Sequence, residues 1–287
     1  MTSALTAART RLDGLAADWN VAVEHVTAGE RALLAFGLQG DRPVVLKVSV
    51  GGGEERYAAG VLGAFDGRGA VRVFAHASGA WLLERAMPGH SLEDVVAQDG
   101  DDEATRLLAS AIGRMSPGPA PRDVPTVGQW GQALELYQAS GDVLIPGGLV
   151  ASAVQVYRTL AGSQRRERLL HGDLHHGNVL FDRERGWLAI DPKGVVGELE
   201  FELGAALRNP WNRPSLVTDP ERIRHRVRLL ADALDLDASR LLGWTFAQAV
   251  LAAVWMIEDD GHLDRDWGCL ALAEILQPSV EEWVLET

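Results

Sequence analysis

A two-lobed α+β architecture is predicted by three features of this 287-residue sequence. Before residue 87, short apolar runs alternate with glycine-bearing turns around a single helical segment. Beyond residue 87, helical periodicity dominates. Between the helices lies a stretch of histidine, aspartate, glycine and asparagine flanked by two short strand-like runs.

The elements follow in order. Leu5, Ala8, Leu12, Leu15 and Trp19 recur at helical spacing and predict an amphipathic opening helix. Strands are predicted at 21–26, 32–38 and 44–50, separated by Ala28-Gly29-Glu30 and Gln39-Gly40-Asp41. A glycine break at 51–53 precedes a helix at 54–65, and two more strands are expected at 71–75 and 81–84. Five strands with one helix between the third and fourth describe a small antiparallel-sheet lobe, residues 1–86. The lobe at 87–287 reads as helices near 91–97, 101–114, 129–139 and 149–161, broken by a proline-rich loop at 116–125. The polar stretch and its strands, 179–181 and 187–190, come next. Helices near 200–207, 219–235, 238–257 and 267–284 complete the chain.

An apolar content of 47% is ample for a large core, and a net charge of −13 with a pI near 5.0 argues against nucleic acid, whose phosphates would be repelled. The acid excess is what a solvated surface looks like, and it also suits a cationic small-molecule partner. Cys269 is the sole cysteine, too few for an intrachain disulfide or a cysteine-based zinc site. The first nineteen residues carry Arg9, Arg11, Asp13 and Asp18 and do not read as a signal peptide. No membrane span is expected, and a cytoplasmic monomer or weak dimer is the default reading.

The chemistry is concentrated in His171-Gly-Asp-Leu-His-His-Gly-Asn178 and Ile190-Asp191-Pro192. Asn178 and Asp191 fall five and eighteen residues after Asp173. This set suits phosphoryl transfer from a metal-bound nucleotide: Asp173 orients a hydroxyl and accepts its proton, while an amide oxygen and a carboxylate form a hard-donor pair for Mg²⁺. His171, at the start of the loop, reads as a packed strut for its backbone, and His175 and His176, adjacent and without an acidic partner at zinc spacing, do not read with it as a transition-metal site. Lys47, in an otherwise apolar strand, needs an anionic partner, for which Glu55 (Glu54 as alternate) on the following helix is the candidate; its ammonium would then meet the phosphates. The turn at 27–32 lies where a hairpin would cover those phosphates, but it lacks repeated glycines. The connector Leu82 to Met87, including Glu84 and Ala86, would present backbone groups to adenine. Glu258, Asp259, Asp260, Asp264 and Asp266 cluster after an apolar helix, either as a solvated loop or as an acidic wall for a cationic acceptor.

These motifs resemble those of the aminoglycoside phosphotransferase family, which has a protein-kinase-like fold. The stretches at 67–72, 82–86, 187–192 with Gly197-Glu198, and 251–255 are most similar to the streptomycin 6-phosphotransferase and hydroxyurea-resistance kinase branch. The resemblance implies ATP and Mg²⁺ as cofactors and a small-molecule hydroxyl as acceptor, with the 6-hydroxyl of streptomycin as the leading choice. It implies Asp173 as base, Asn178 and Asp191 as metal ligands, and Lys47 with Glu55 as the phosphate-holding pair. Glu198, Trp255, Glu258 and Asp259 join Asp173 in the expected acceptor pocket. Glu202 stands where such kinases often have an aspartate bracing the catalytic loop, and Lys193, which the general motif does not include, either sits near the phosphates or points to solvent, with solvent preferred. A metabolic kinase for an amino sugar or amino alcohol is the alternative, and a nucleotide-binding pseudokinase a lesser one. Only ten residues separate Asp191 from Glu202, leaving no room for the long activation loop of a protein kinase.

Overall fold

Helix α1 (Ser3–Asp18) buries Ala8, Leu12 and Ala16, three positions of one helical stripe, against a sheet. A computed structural model describes residues 3–29, 31–50, 57–98, 100–264 and 268–286. The sheet comprises β1 (Val21–Ala28), β2 (Ala32–Gln39), β3 (Arg42–Ser49), β4 (Val73–Ala77) and β5 (Ala80–Glu84). Their spatial order is β1-β2-β3-β5-β4, antiparallel throughout. Period-two alternation assigns the faces: Val44, Leu46 and Val48 of β3 are fully buried toward α1, while Val45 and Lys47 turn to a cleft. Gly37 of β2 is required by crowding, since a Cβ there would lie 2.2 Å from the Ala22 carbonyl oxygen.

Helix α2 (Ala58–Phe65) does not join the α1 core; Val61, Leu62 and Phe65 pack into the larger helical core. The predicted start of this helix, with Glu54 and Glu55, lies outside the described residues. The strand expected from Val71 starts only at Val73, and residues 69–71 lie before it. They bridge to the far half of the molecule: Val71 N–H donates to the Ala189 carbonyl (3.0 Å) and Ala189 N–H to that of Gly69 (2.9 Å).

Past the connector come β6 (Pro88–Ser91), α3 (Leu92–Gln98), α4 (Asp101–Arg114), α5 (Val127–Trp130), α6 (Gln132–Ser140) and α7 (Gly147–Gly162). Then follow β7 (Arg168–Leu170), β8 (Val179–Asp182), β9 (Gly186–Ala189), β10 (Val195–Gly197), α8 (Leu199–Leu207), α9 (Pro214–Thr218), α10 (Pro220–Leu234), α11 (Ala238–Asp260) and α12 (Cys269–Glu286). Strands β6, β7 and β10 escaped sequence reading because three or four residues carry no resolvable period. The helix expected at 129–139 is divided at Gly131, where Thr126 and Gln129 form a capping box for α5. The helix expected at 219–235 begins as predicted, with Asp219 capping the Glu221 and Arg222 amides, but α9 precedes it.

Helix α11 is long and apolar enough to cross a membrane by length and composition, with no charge from Leu241 to Ile257. Its best 18-residue window is 72% buried inside the fold, where Trp244, Phe246 and Val250 are fully enclosed. An apolar helix packed on all sides needs no lipid to satisfy it.

Candidate functional site

The polar stretch forms a loop between β7 and β8, and its backbone is held from below by one carboxylate. Glu202, 3% exposed on α8, accepts the His171 N–H at 2.6 Å and the Gly172 N–H at 2.9 Å. Burial pushes its carboxyl up to about 7 against the opposing pull of these amides. The bracing role expected for this glutamate is therefore present in the geometry despite its extra methylene. Gly172 lies at φ +83, and a Cβ would meet Trp130 at 3.0 Å and the Gly194 nitrogen at 3.2 Å, so glycine is demanded twice over.

Two of the three histidines, His171 and His175, brace the loop through hydrogen bonds. His171 is fully buried; its Nδ1 accepts the Asp173 N–H (3.3 Å), so Nε2 is the protonated nitrogen and donates to the Ile190 carbonyl (2.6 Å). Burial lowers its pKa to about 4, which fixes that neutral tautomer. His175 Nδ1 accepts the Gly177 N–H at 3.1 Å. His176 is fully buried, and among the described residues neither ring nitrogen meets a hydrogen-bond partner.

Asn178 Nδ2 donates to the Asp173 carbonyl at 2.9 Å, leaving Oδ1 as the atom of this side chain able to bind a cation. Asp191 sits at φ +62, a left-handed conformation, at the point where the chain leaves β9. Its carboxylate pairs with Lys47, which is 8% exposed. Sequence reasoning gave Lys47 to Glu55; the partner identified is Asp191, brought from 144 residues away, and Glu55 lies outside the described residues.

Asp173 is flanked by two cations, Lys193 Nζ at 3.5 Å from Oδ2 and Arg208 Nη2 at 3.7 Å from Oδ1. Burial pushes its carboxyl up, but Lys193 and Arg208, joined in acid by the protonated rings of His175 and His171, outweigh it and hold the group at about 2. Lys193 thus faces the cleft instead of open solvent, contrary to expectation, because the turn at Asp191 and Gly194 (φ +81) folds it back over the loop. The rarity of lysine singled out Lys193 in the sequence, with a place near the phosphates as the less favoured of its two readings; nothing local to Arg208, thirty-five residues from Asp173, pointed to the site.

A cleft of about 670 Å³ runs between the sheet and the helical lobe, lined by Lys47, Glu84, Ala86, Asp173, Asn178, Asp191 and Asp259 among others. At the connector end, the Glu84 side chain is taken up by Arg72 (3.1 Å) and Arg185, and its N–H by the Arg72 carbonyl (2.9 Å). Among the described residues, neither backbone group of Ala86 has a backbone partner. At the other end, Arg31 in the β1–β2 turn reaches across to Asp259 at the end of α11 (3.0 Å). Glu258 is exposed and absent from the lining, and Asp266 lies outside the described residues.

Two acceptor assignments are overturned or displaced. Glu198 is 1% exposed, and its Oε1 receives Arg240 Nε (2.7 Å) and Trp244 Nε1 (2.6 Å), so it is a buried anchor with no surface for an acceptor. Trp255 stands edge-on to Trp130 at 5.2 Å and lies behind Lys193, whose Nζ is 5.9 Å from its ring centroid; it backs the cleft without lining it.

A five-stranded sheet over a helical lobe, with Lys47, Asp173, Asn178 and Asp191 gathered in the cleft between them, defines a small-molecule phosphotransferase of kinase-like fold. The chain belongs to the aminoglycoside/hydroxyurea antibiotic resistance kinase family, whose model matches residues 22–261. It is 39% identical to a streptomycin 3''-kinase of Klebsiella pneumoniae over 77% of this chain and 82% of that protein. It is 33% identical to a streptomycin 6-kinase of Streptomyces glaucescens over 90% of this chain and 86% of the relative. Among solved structures, a choline/ethanolamine kinase family protein from Mesorhizobium loti superposes with a TM-score of 0.70 at 15% identity, covering 98% of each chain, a likeness of fold.

Proposed function

We propose that this protein transfers the γ-phosphoryl group of ATP to a hydroxyl of an aminoglycoside, with the 6-hydroxyl of streptomycin as the acceptor. The observation that carries the reading is the convergence of Lys47, Asp173, Asn178 and Asp191 on one cleft. The relatives' names supply the acceptor class. The relative at 39% identity, named for the 3'' position, makes the 3''-hydroxyl the second reading.

Asp173 hydrogen-bonds the acceptor hydroxyl and aligns it on the phosphorus. A carboxyl held at about 2 is a weak base, so positioning is its main contribution, and it takes the proton only late, when the oxygen has become acidic. Asn178 Oδ1 and the Asp191 carboxylate are hard oxygen donors facing the cleft, and they fit Mg²⁺, whose remaining sites the phosphates and water would fill. Bound there, the ion would neutralise charge on the β- and γ-phosphates. Lys47 lies beside Asp191 to meet the same phosphates, and the Ala86 backbone faces the adenine end. Asp259 offers a carboxylate to a cationic group of the acceptor, in exchange for Arg31.

The test is incubation of the purified protein with MgATP and streptomycin, followed by product mass and by ³¹P–¹H NMR to locate the phosphate. A monophosphorylated product coupled to the 6-proton is expected; coupling to the 3'' position moves the assignment there. No ATP turnover with streptomycin would sink the acceptor assignment.

A further inference from the structure

Lys193 is a charged side chain of the cleft to which the site as proposed gives no task. Its ammonium lies 3.5 Å from Asp173 Oδ2. The side chain is 44% exposed, so the carboxylate does not enclose it, and the Trp255 ring at 5.9 Å backs it on one side. Its backbone is fixed by the turn that carries Asp191, pinned where the Gly194 N–H donates to the His171 carbonyl at 2.8 Å. One short segment therefore aims a cleft carboxylate and a cation at the same volume. Nor does Asp173 depend on Lys193 alone for its charge, because the buried Arg208 approaches its other oxygen at 3.7 Å.

We propose that Lys193 is a catalytic residue that contacts the γ-phosphoryl oxygens during transfer, an inference that rests on the site reading above. An acceptor oxygen bonded to Asp173 lies roughly 3 Å from the phosphorus it attacks. The equatorial oxygens of that phosphorus then fall within reach of an ammonium that starts beside the same carboxylate. In the step, the acceptor oxygen bonds to phosphorus as the bond between phosphorus and the β–γ bridging oxygen breaks, and its electron pair leaves with ADP. The hydroxyl proton passes to Asp173. Lys193 moves no proton; it shifts from Asp173 toward the phosphoryl oxygens as negative charge spreads over them, so its attraction is greatest in the transition state.

The experiment compares wild type, K193A, K193R and D173N. Calorimetric titration with the Mg²⁺ complexes of ADP and AMP-PNP needs no acceptor: K193A is expected to lose roughly tenfold in affinity for AMP-PNP while ADP binding stays within about twofold. In turnover with the acceptor that the wild type phosphorylates, K193A loses roughly 100-fold in kcat, with KM for ATP raised by no more than the roughly tenfold loss of AMP-PNP affinity, and K193R recovers part of both. Equal losses for ADP and AMP-PNP would mark a structural role and overturn the assignment, as would wild-type AMP-PNP affinity with kcat within about threefold. An inactive D173N beside a fully active K193A removes Lys193 alone and leaves the site reading intact. A fully active D173N removes both.

Discussion

Replacing Glu202 by glutamine tests the brace under the loop without changing the volume at its centre. The wild-type carboxylate gives one oxygen to the His171 N–H and the other to the Gly172 N–H, at 2.6 and 2.9 Å. Glutamine keeps one acceptor and turns an NH₂ toward the second amide, leaving a buried donor facing a donor. An unmet buried group costs about 1–3 kcal/mol. At roughly 2–4 °C of melting temperature per kcal/mol for a chain of this size, E202Q is expected to melt about 3–10 °C lower. E202A leaves both amides unmet and costs about twice as much, a large part of the roughly 5–15 kcal/mol that holds a domain folded. Because the amides belong to the two residues before Asp173, the loop shifts at the point of transfer. Turnover should fall more steeply than affinity for ATP, since Lys47, the lysine proposed to meet its phosphates, lies on β3. Circular dichroism melting and steady-state kinetics on the same preparation read both effects. A variant that melts within about 1 °C of wild type with unchanged kcat would refute the brace.

Four further outcomes follow from the same geometry. D173N should abolish phosphoryl transfer while ADP affinity stays within about threefold, read by calorimetry beside turnover. The depressed carboxyl of Asp173 contributes stability that is fully present above its ordinary 3.8 and is lost as pH falls through about 2; the 22%-exposed side chain makes this about 2 kcal/mol at most. Acid unfolding of D173N should accordingly depend less on pH between about 4 and 2. R31A should free Asp259 and lower KM for a cationic acceptor, while D259A raises it; both groups are exposed, so melting temperature should scarcely move. E198A leaves Arg240 buried and unpaired and is expected to cost about 3–5 kcal/mol in urea unfolding, with KM for the acceptor unchanged in protein that remains folded.

What the sequence made legible was whatever is local. Five strands, α1 and most helices follow from apolar period, and Asp173, Asn178 and Asp191 stand out because one loop and the strand pair after it hold them at short spacing. The misreadings lie where a residue's partner is distant in the chain. Glu198 looks like a polar residue after a turn until Arg240 and Trp244, more than forty positions later, enclose it. Lys47 meets an aspartate across the cleft that its sequence neighbourhood does not announce, while Glu55, the partner expected for it, lies outside the described residues. Arg208 and the Arg31–Asp259 contact carry no sequence signal at all, since tertiary packing alone brings them together.

The charge distribution follows the same logic. A net charge of −13 is a sum over the whole surface, whereas a bound phosphate chain feels mainly what lies within about 8 Å, beyond which salt screens exposed charges. Within the cleft, Lys47, Lys193, Arg31 and Arg85 line the wall, and Arg208 stands behind Asp173. The chain has only two lysines, and each ends beside a cleft carboxylate, Lys47 at Asp191 and Lys193 at Asp173. Paired in this way, each cation is kept in place at little cost in burial and remains able to exchange its carboxylate for a phosphate oxygen. The acidic surface therefore repels long polyanions without weakening a site for one nucleotide, and it leaves the Asp259 end negative for a cationic acceptor.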